Sequence, residues 1–301
     1  MAVFRTDMRA QETRAAWGFL APDLIGLLAF IILPILLALG MSFMSVSGFG
    51  AVHFVGLENF SRLVDDARLP RALMITFGYA ALAVPLSYVV GLSLALLLED
   101  KVKGGGLIRT MVFVPYVLSL VVVALIWEFL LVDKTGVVPT LLAPVGLGDI
   151  SWLGDPRYAL LSVVIITVWS QAGYQMLLFL GGLGGIPKDY YDAAAIDGAG
   201  WWRRLHSITL PMLRPTSFFI ILTSAMGCIT GAQAFDLVFM LTRGGPANAT
   251  LTMPFYIYEQ AFTYNDLGYA AALTLVLVAV LMIAVMLTFA MTRGARFHEG
   301  D

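Results

Sequence analysis

Charged residues are scarce in this sequence, and their scarcity excludes most soluble folds. Of its 301 residues, only 13% are Asp, Glu, Lys or Arg, whereas 59% are hydrophobic. An average soluble domain has about 25% charged residues. The composition therefore predicts an integral membrane protein rather than a large soluble core. The formal net charge of −2 gives no indication of a nucleic-acid partner.

The residues that build metal centres and catalytic sites are also few. The single cysteine, Cys228, lies inside an apolar run, so neither a disulfide framework nor a thiolate metal site can form within the chain. His53, His206 and His298 fall in three separate segments without the spacing of a metal-binding motif. The sequence contains no glycine-rich phosphate loop, so we expect no ATP site and no enzymatic activity in this chain.

Six apolar runs are long enough to cross a bilayer, which requires about 20 residues of helix. They cover residues 17–41, 72–98, 107–132, 158–181, 216–241 and 268–291. Pro34, Pro85 and Pro115 lie inside three of the runs, which predicts kinked helices in a bundle. The predicted fold is all-α, with a tail at 1–16, a transmembrane domain at 17–292 and a second tail at 293–301.

The distribution of Lys and Arg predicts the orientation of these spans. An even number of spans places both termini on one side of the membrane. With that side inside, twelve basic residues are cytoplasmic: Arg5, Arg9, Arg14, Lys101, Lys103, Arg109, Lys188, Arg203, Arg204, Arg214, Arg293 and Arg296. Six are external: Arg62, Arg68, Arg71, Lys134, Arg157 and Arg243. The asymmetry predicts that both termini lie in the cytoplasm.

A polar island at residues 186–211 separates the fourth apolar run from the fifth. Asp189 is a candidate cap for a helix that begins near Tyr190, since its carboxylate can accept from free backbone N–H groups. The alanines that follow keep this helix thin enough for close contact with another surface. Gly198 can take a positive φ and end the helix. From the residues alone, an amphipathic loop lying on the membrane explains the island equally well.

The island nevertheless resembles the coupling loop of membrane subunits of binding-protein-dependent ABC importers. That family has Glu-Ala-Ala, then Asp-Gly-Ala, then a hydrophobic stretch that ends in Leu-Pro. The matching residues here are Asp192, Ala193, Ala194, Asp197, Gly198, Ala199, Leu210 and Pro211. Asp192 departs from the family's usual Glu, which keeps the charge and shortens the side chain by one methylene.

Further segments extend the resemblance over most of the chain, from about residue 17 to 292. They include VGLENF at residues 55–60, WSQAGY at 169–174, GLGGIP at 182–187 and FDLVFMLTRGGPANAT at 235–250. Arg109, Pro115 and Trp127 fit the family's third span, although Pro139 stands where an Asn is usual. The subfamily that these motifs resemble most contains the first permease of glycerol-3-phosphate and oligosaccharide importers.

The resemblance implies an ATP-driven importer for a carbohydrate or a related polyol in the cytoplasmic (inner) membrane of a bacterium. It implies a second permease subunit, ATPase subunits that hold ATP and Mg²⁺, and an extracytoplasmic substrate-binding protein as partners. Membrane lipid and the small-molecule substrate complete the set, and this chain itself is expected to hold no cofactor. The residues matched at 186–211 are expected to contact the ATPase and to transmit its movement.

Polar residues inside the spans are candidates for the substrate path, because polar side chains are expensive in a membrane. They are Gln171, Tyr174, Gln175, Thr230, Gln233 and Asp236. Together they offer the hydrogen-bonding groups and the aromatic face that a sugar requires. Interhelical hydrogen bonding that holds the bundle together explains them equally well. A proton- or sodium-coupled transporter is the alternative function, and it would require a buried pair of carboxylates, for which only Glu128 and Asp236 are available.

Overall fold

A computed structural model of the protein describes residues 2–46, 52–99, 104–231 and 233–293, and most of these residues are helical. The α-helices are α1 (Ala2–Leu27), α2 (Leu33–Met41), α3 (Glu58–Asp65), α4 (Arg68–Leu98), α5 (Gly105–Val117), α6 (Leu120–Leu130), α7 (Val137–Leu142), α8 (Ala159–Gly184), α9 (Lys188–Ile196), α10 (Trp201–Arg204), α11 (Leu210–Met212), α12 (Arg214–Thr230), α13 (Val238–Leu241), α14 (Met253–Tyr258) and α15 (Leu267–Arg293). Wider π-helical turns cover Leu28–Ile32, Leu205–Thr209, Gln233–Leu237 and Glu259–Thr263, and a 3₁₀ turn covers Ala143–Val145.

The only strands in the described residues are two short ones, β1 (Met44–Ser45) and β2 (His53–Phe54). They form an antiparallel ladder in which Met44 pairs with Phe54 and Ser45 pairs with His53.

The prediction of an all-α membrane fold is confirmed. Lys101, Lys103, Arg296 and His298 lie outside the described residues, as does the predicted C-terminal tail after residue 293.

Three helical segments in the described chain are continuous and apolar enough to cross a membrane: Ala15–Met41, Arg68–Leu98 and Ala159–Gly184. They correspond to the predicted first, second and fourth spans. The sixth predicted span is α15, whose described apolar part, Leu267–Ile283, is shorter. The helix that contains the first span already begins at Ala2. The number of six crossings stays a prediction, because two of the predicted spans are broken.

The third and fifth predicted spans are not the continuous helices that their apolar runs suggest. α5 and α6 meet at an angle of 97°, because Leu118 and Ser119 between them have extended backbone. α12 ends at Thr230, where Gly231 is extended, and the predicted span resumes as the π-helical turn Gln233–Leu237. Interrupted backbone at membrane depth persists only where protein or a water-filled cavity satisfies its polar groups.

Two prolines explain two of the wide turns. Pro34 and Pro211 each lie two residues beyond a π-helical turn. In the first turn the N–H of Leu33 donates to the carbonyl of Leu28. In the second the N–H of Leu210 donates to the carbonyl of Leu205. A proline ring clashes with the carbonyl four residues earlier and has no N–H to donate. The extra residue in each π turn makes room for the ring while the chain stays helical.

The described residues divide into two compact units, each with its own contacts. The larger unit, described residues 66–256 with 281–293, is built around α4, α5, α8 and α12. Its buried centre includes Tyr79, whose hydroxyl lies 2.7 Å from that of Thr167. α5 and α8 approach closely at Gly173, where a Cβ would overlap the backbone of Val112 and Phe113.

The smaller unit, residues 1–65 with 257–280, is held by polar contacts around Asn59. The Asn59 side-chain amide is buried and donates to the carbonyls of Ser42 and Met44, both at 3.0 Å. Arg62, one turn further along α3, forms an ion pair with Asp266 at 2.7 Å. These contacts fix the segment VGLENF against the start of α15 within this unit.

Candidate functional site

The polar island at 186–211 folds into two helices, α9 and the shorter α10, with a turn at Gly198 between them, and both helices are largely exposed. α9 begins at Lys188 directly after Pro187, which lies at the N-cap position and offers no side-chain cap. The expectation that Asp189 caps a helix starting near Tyr190 is wrong, because the helix begins one residue before Asp189. Asp189 lies in the first turn instead, where a carboxylate is favoured by the helix dipole.

The end of α9 agrees with the sequence-based prediction. Gly198 has a φ of +72°. Its N–H donates to the carbonyl of Ala195 at 3.1 Å, and the N–H of Ala199 donates to that of Ala194 at 2.8 Å. These two bonds form a Schellman motif, which satisfies the last carbonyls of a helix and redirects the chain. The side of Gly198 where a Cβ would lie is open space, so only its backbone conformation requires glycine.

α9 has one anchored face and one exposed face. On the anchored face, Tyr191 packs against the buried cluster of the larger unit, which includes Phe179 and Leu213. Its hydroxyl lies 3.0 Å from the hydroxyl of Thr209. Thr209 is buried, with only 4% of its surface exposed. Ala194 continues this half-buried face one turn later. The helix is therefore joined to the bundle by an aromatic ring and a hydrogen bond.

The opposite face of α9 is open to a partner. Asp192, Ala193 and Asp197 are exposed, and Ile196 is 87% exposed although it is apolar. Three small or short side chains beside an exposed isoleucine make a surface that another protein can approach closely. Of the remaining matched residues, Ala199 closes the Schellman motif, whereas Leu210 and Pro211 are half-buried in the helical turn that leads to α12.

The candidate residues of the substrate path fall into two groups. Gln171, Tyr174 and Gln175 lie on α8. Thr230 is the last residue of α12, and Gln233 and Asp236 lie on the π-helical turn beyond the break. No hydrogen bond joins the two groups within the described part of the chain. The second group is placed at an interrupted helix, which is where transporters commonly bind their substrates.

Tyr174 belongs to an aromatic pair that the sequence analysis missed. Its ring stacks on that of Tyr116 from α5, with centroids 4.4 Å apart and an interplanar angle of 7°. Tyr116 also contacts Phe113, and its own side chain is exposed. Tyr116 directly follows Pro115, and the close approach at Gly173 brings it opposite Tyr174. The pair leaves an aromatic surface that a sugar ring can contact.

Gln175 is more deeply buried than its neighbour Tyr174. Its side chain is 2% exposed and donates to the Ser224 hydroxyl on α12 at 3.0 Å. It fills the space opposite Gly91 on α4, where a Cβ would lie 2.6 Å from that of Gln175. Its Oε1 atom is buried without a hydrogen-bond partner. These contacts agree with the interhelical role that the sequence left open, and one acceptor remains unused.

Comparisons with known proteins are consistent with this geometry. Residues 87–296 match the family described as binding-protein-dependent transport system inner membrane component. The lactose transport system permease protein of Rhizobium radiobacter is 36% identical over 287 residues, which are 94% of this chain and 94% of that protein. The trehalose/maltose transport system permease protein of Thermococcus litoralis is 33% identical over 264 residues, 87% of each chain.

Solved structures show the same fold. A chain of a bacterial ABC transporter involved in the import of the acidic polysaccharide alginate superposes with a TM-score of 0.82. The superposition covers 98% of this chain and 100% of that chain, at 22% sequence identity. A chain of the alginate transporter bound to its pentasaccharide-loaded periplasmic protein also gives a TM-score of 0.82, at 22% identity and with 96% and 98% of the two chains covered.

Proposed function

Since the chain belongs to the family of binding-protein-dependent transport system inner membrane components, we propose that it imports a carbohydrate or a related polyol with energy from ATP. The chain is an integral inner-membrane protein and a transport subunit, not an enzyme. It would form half of the translocation path and hydrolyse no ATP itself. The ATP and Mg²⁺ are then bound by a partner ATPase. The names of the lactose and trehalose/maltose relatives support the carbohydrate class.

The exposed α9 is the observation on which the mechanism rests. An element transmits work only if it is rigid and is attached to a structure with two arrangements. α9 meets the first condition, because Tyr191 and the turn at Gly198 fix both its face and its end. It is attached to the cluster where α4, α8 and α12 meet. When the ATPase moves α9, these helices therefore move with it and open or close the path.

The ATPase, the second permease and lipid each have a candidate surface in the described residues. An ATPase subunit would contact Asp192, Ala193 and Ile196 on α9. A second permease subunit and lipid would cover the large exposed side chains of α1 and α2, such as Phe19 and Phe30. An extracytoplasmic binding protein would deliver the substrate, as the pentasaccharide-bound periplasmic protein is held by the alginate transporter.

The proposed substrate path combines the aromatic pair with the broken fifth span. Tyr116 and Tyr174 would stack on a sugar ring, and Gln171 would donate to its hydroxyls. Thr230, Gln233 and Asp236 would face the solute from the break after α12. Gln175 borders this path and holds α8 to α12. Both interrupted spans, α5–α6 and α12–α13, contribute to it.

The alternative function, coupling to a proton or sodium gradient, has less support. A coupling site requires a buried carboxylate in the bundle. Among the described residues of the predicted spans, Glu128 is exposed and Asp236 is half-buried, so the two do not form a buried pair. Family membership also favours energy from ATP.

Reconstitution of the complete complex tests the proposed function. The chain is co-expressed with its second permease, ATPase and binding protein, and the sugar retained by the binding protein is identified by mass spectrometry. Uptake of this sugar into proteoliposomes should require ATP inside, and a proton ionophore should leave it unchanged. Uptake that continues without ATP and stops with the ionophore would exclude the ATP-driven importer.

A further inference from the structure

A cavity of about 590 Å³ lies behind α9, on the side opposite to the proposed ATPase contact. We call it the loop cavity. Its lining includes three cationic side chains, Arg109, Lys188 and Arg204, from α5, α9 and α10. Glu99 is the one carboxylate among the described lining residues. The loop cavity therefore has an excess of positive charge, which favours an anionic ligand.

The two arginines have donors that remain unused. The Nε atoms of Arg109 and Arg204 are both buried, and neither has a hydrogen-bond partner. One Nη atom of Arg109 donates to the carbonyl of Leu98, which holds the guanidinium in place. A buried donor without a partner is rare in proteins, and a bound water or ion is one of its explanations. Two such donors in the lining of one cavity indicate an acceptor with several oxygen atoms, as a phosphate has.

Apart from Tyr191 and Thr209, the remaining residues that line the loop cavity are apolar, which a soluble anion does not explain. Leu96, Leu183, Ile186 and Leu205 line it together with Trp201, an exposed indole of the kind that lies at membrane interfaces. A ligand that fits both parts has an anionic head and a hydrocarbon portion. Basic pockets between membrane helices on the cytoplasmic side are known to bind anionic lipid headgroups.

We propose that the loop cavity binds a phosphate group, and that this phosphate belongs to an anionic phospholipid of the cytoplasmic leaflet. Arg109 and Arg204 donate to its oxygens, and Lys188 adds a third positive charge. Because Lys188 and Tyr191 of α9 line the same cavity, the bound lipid fills the space between the coupling helix and the bundle. The cytoplasmic placement rests on the proposed function, but the binding site itself does not.

Lipid retention by the intact complex tests the site without measuring transport. The purified complex is equilibrated in nanodiscs of phosphatidylcholine with phosphatidylglycerol, released from them, and its bound lipids are counted by native mass spectrometry. The wild type should retain phosphatidylglycerol selectively. Arg109→Gln with Arg204→Gln should lower the selective retention about tenfold, since charge-assisted hydrogen bonds are lost. Each single variant should give a partial loss, so the test remains decisive if the double variant fails to assemble.

Arg203→Gln is the matched control for these variants. Arg203 adjoins Arg204 and has the same charge, but it is exposed and does not line the loop cavity. Its replacement should leave lipid retention unchanged. Equal retention in the wild type and the Arg109 and Arg204 variants would overturn the proposal. Displacement of the lipid by millimolar inorganic phosphate would overturn the lipid source, because a soluble phosphate would then be the ligand.

If transport fails in every preparation while selective retention is observed, the proposed function is wrong and the lipid site stands. If transport is normal and no selective retention is observed, the lipid site is wrong and the proposed function stands. The two proposals can therefore fail separately. In a transporting complex, phosphatidylglycerol should also raise substrate-stimulated ATP hydrolysis several-fold over phosphatidylcholine alone, and the double variant should lose this dependence.

Discussion

The hydroxyl of Tyr191 on α9 lies 3.0 Å from the hydroxyl of Thr209, in the π-helical turn that precedes Pro211. This hydrogen bond joins the two ends of the 186–211 segment across the turn at Gly198. The Tyr191 ring packs against the buried cluster of the larger unit, which contains Leu213 at the start of α12. Tyr191 therefore connects α9 to the start of α12.

Replacement of Tyr191 by Phe should uncouple ATP hydrolysis from transport in part. The variant keeps the ring in its packed position and removes only the hydrogen bond, which contributes about 0.5–1.5 kcal/mol. The number of sugar molecules transported per ATP hydrolysed should fall several-fold in proteoliposomes. Tyr190→Phe is the control, because Tyr190 precedes Tyr191 and is exposed. An equal number of sugar molecules transported per ATP in the two variants would show that the Tyr191 hydroxyl does not transmit the movement.

Gly198 should be sensitive to substitution because of its backbone alone. Gly198→Val places a β-branched residue at a φ of +72°, a conformation that costs L-residues about 1–2 kcal/mol or more. We expect normal insertion of the protein and a loss of stimulated ATP hydrolysis. Gly200→Val is the matched control: a Cβ at either glycine would meet open space, and Gly200 has an ordinary extended conformation. A control as defective as Gly198→Val would contradict the backbone explanation.

The approach of α5 to α8 gives a prediction about stability. A Cβ on Gly173 would overlap the backbone of Val112 and Phe113, so Gly173→Ala must push the two helices apart. Overpacking of this kind costs about 1–3 kcal/mol, which should lower the melting temperature of the purified complex. It should also separate Tyr116 from Tyr174. Gly181→Ala on the same helix meets open space and should leave the melting temperature unchanged.

The sequence could predict which segments are helical in the membrane, but not where those helices break. Length and hydrophobicity place α4 and α8 within a few residues. The breaks at Ser119 and Gly231 were missed, because each lies inside a run that is apolar on average. A hydropathy pattern detects burial in lipid and contains no information about backbone direction. Pro115 was a signal near the first break, although its helix continues two residues beyond it.

In the candidate sites, too, the sequence predicts features that depend on neighbouring residues and misses contacts between residues that are distant in the chain. The stop at Gly198 depends on a few neighbouring residues, so the sequence sufficed to predict it. Tyr191, Thr209 and the stacking of Tyr116 on Tyr174 depend on residues that are distant in the chain, and no spacing rule brings them together. The Asp189 cap was wrong because Pro187 takes the N-cap position and α9 begins at Lys188, so Asp189 falls inside the first turn.

The orientation of the chain remains a prediction that labelling can test. Single cysteines are introduced into a Cys228→Ser background in intact cells. Cysteines at Arg62 and Lys134, both exposed positions, should react with a membrane-impermeant external reagent. A cysteine at Arg203 should react only after the membrane is permeabilised. Labelling at position 203 from outside would reverse the topology and place α9 away from any cytoplasmic ATPase.

The substrate path gives the last prediction, which separates solute contact from bundle packing. Tyr174→Ala removes one ring of the stacked pair, and Gln171→Ala and Gln233→Ala each remove a hydrogen-bonding group. Loss of one such group costs about 0.5–1.5 kcal/mol, so uptake per assembled complex should fall several-fold while assembly stays normal.

Gln175→Ala should behave differently, because it leaves a cavity beside Gly91 and leaves Ser224 without its donor. It should reduce the amount of assembled complex first. Uptake is therefore normalised to purified complex, and normal uptake per complex in the Tyr174, Gln171 and Gln233 variants would remove these residues from the path. Their polar groups would then only hold the helices together, and the solute would have to pass along other residues of the broken spans.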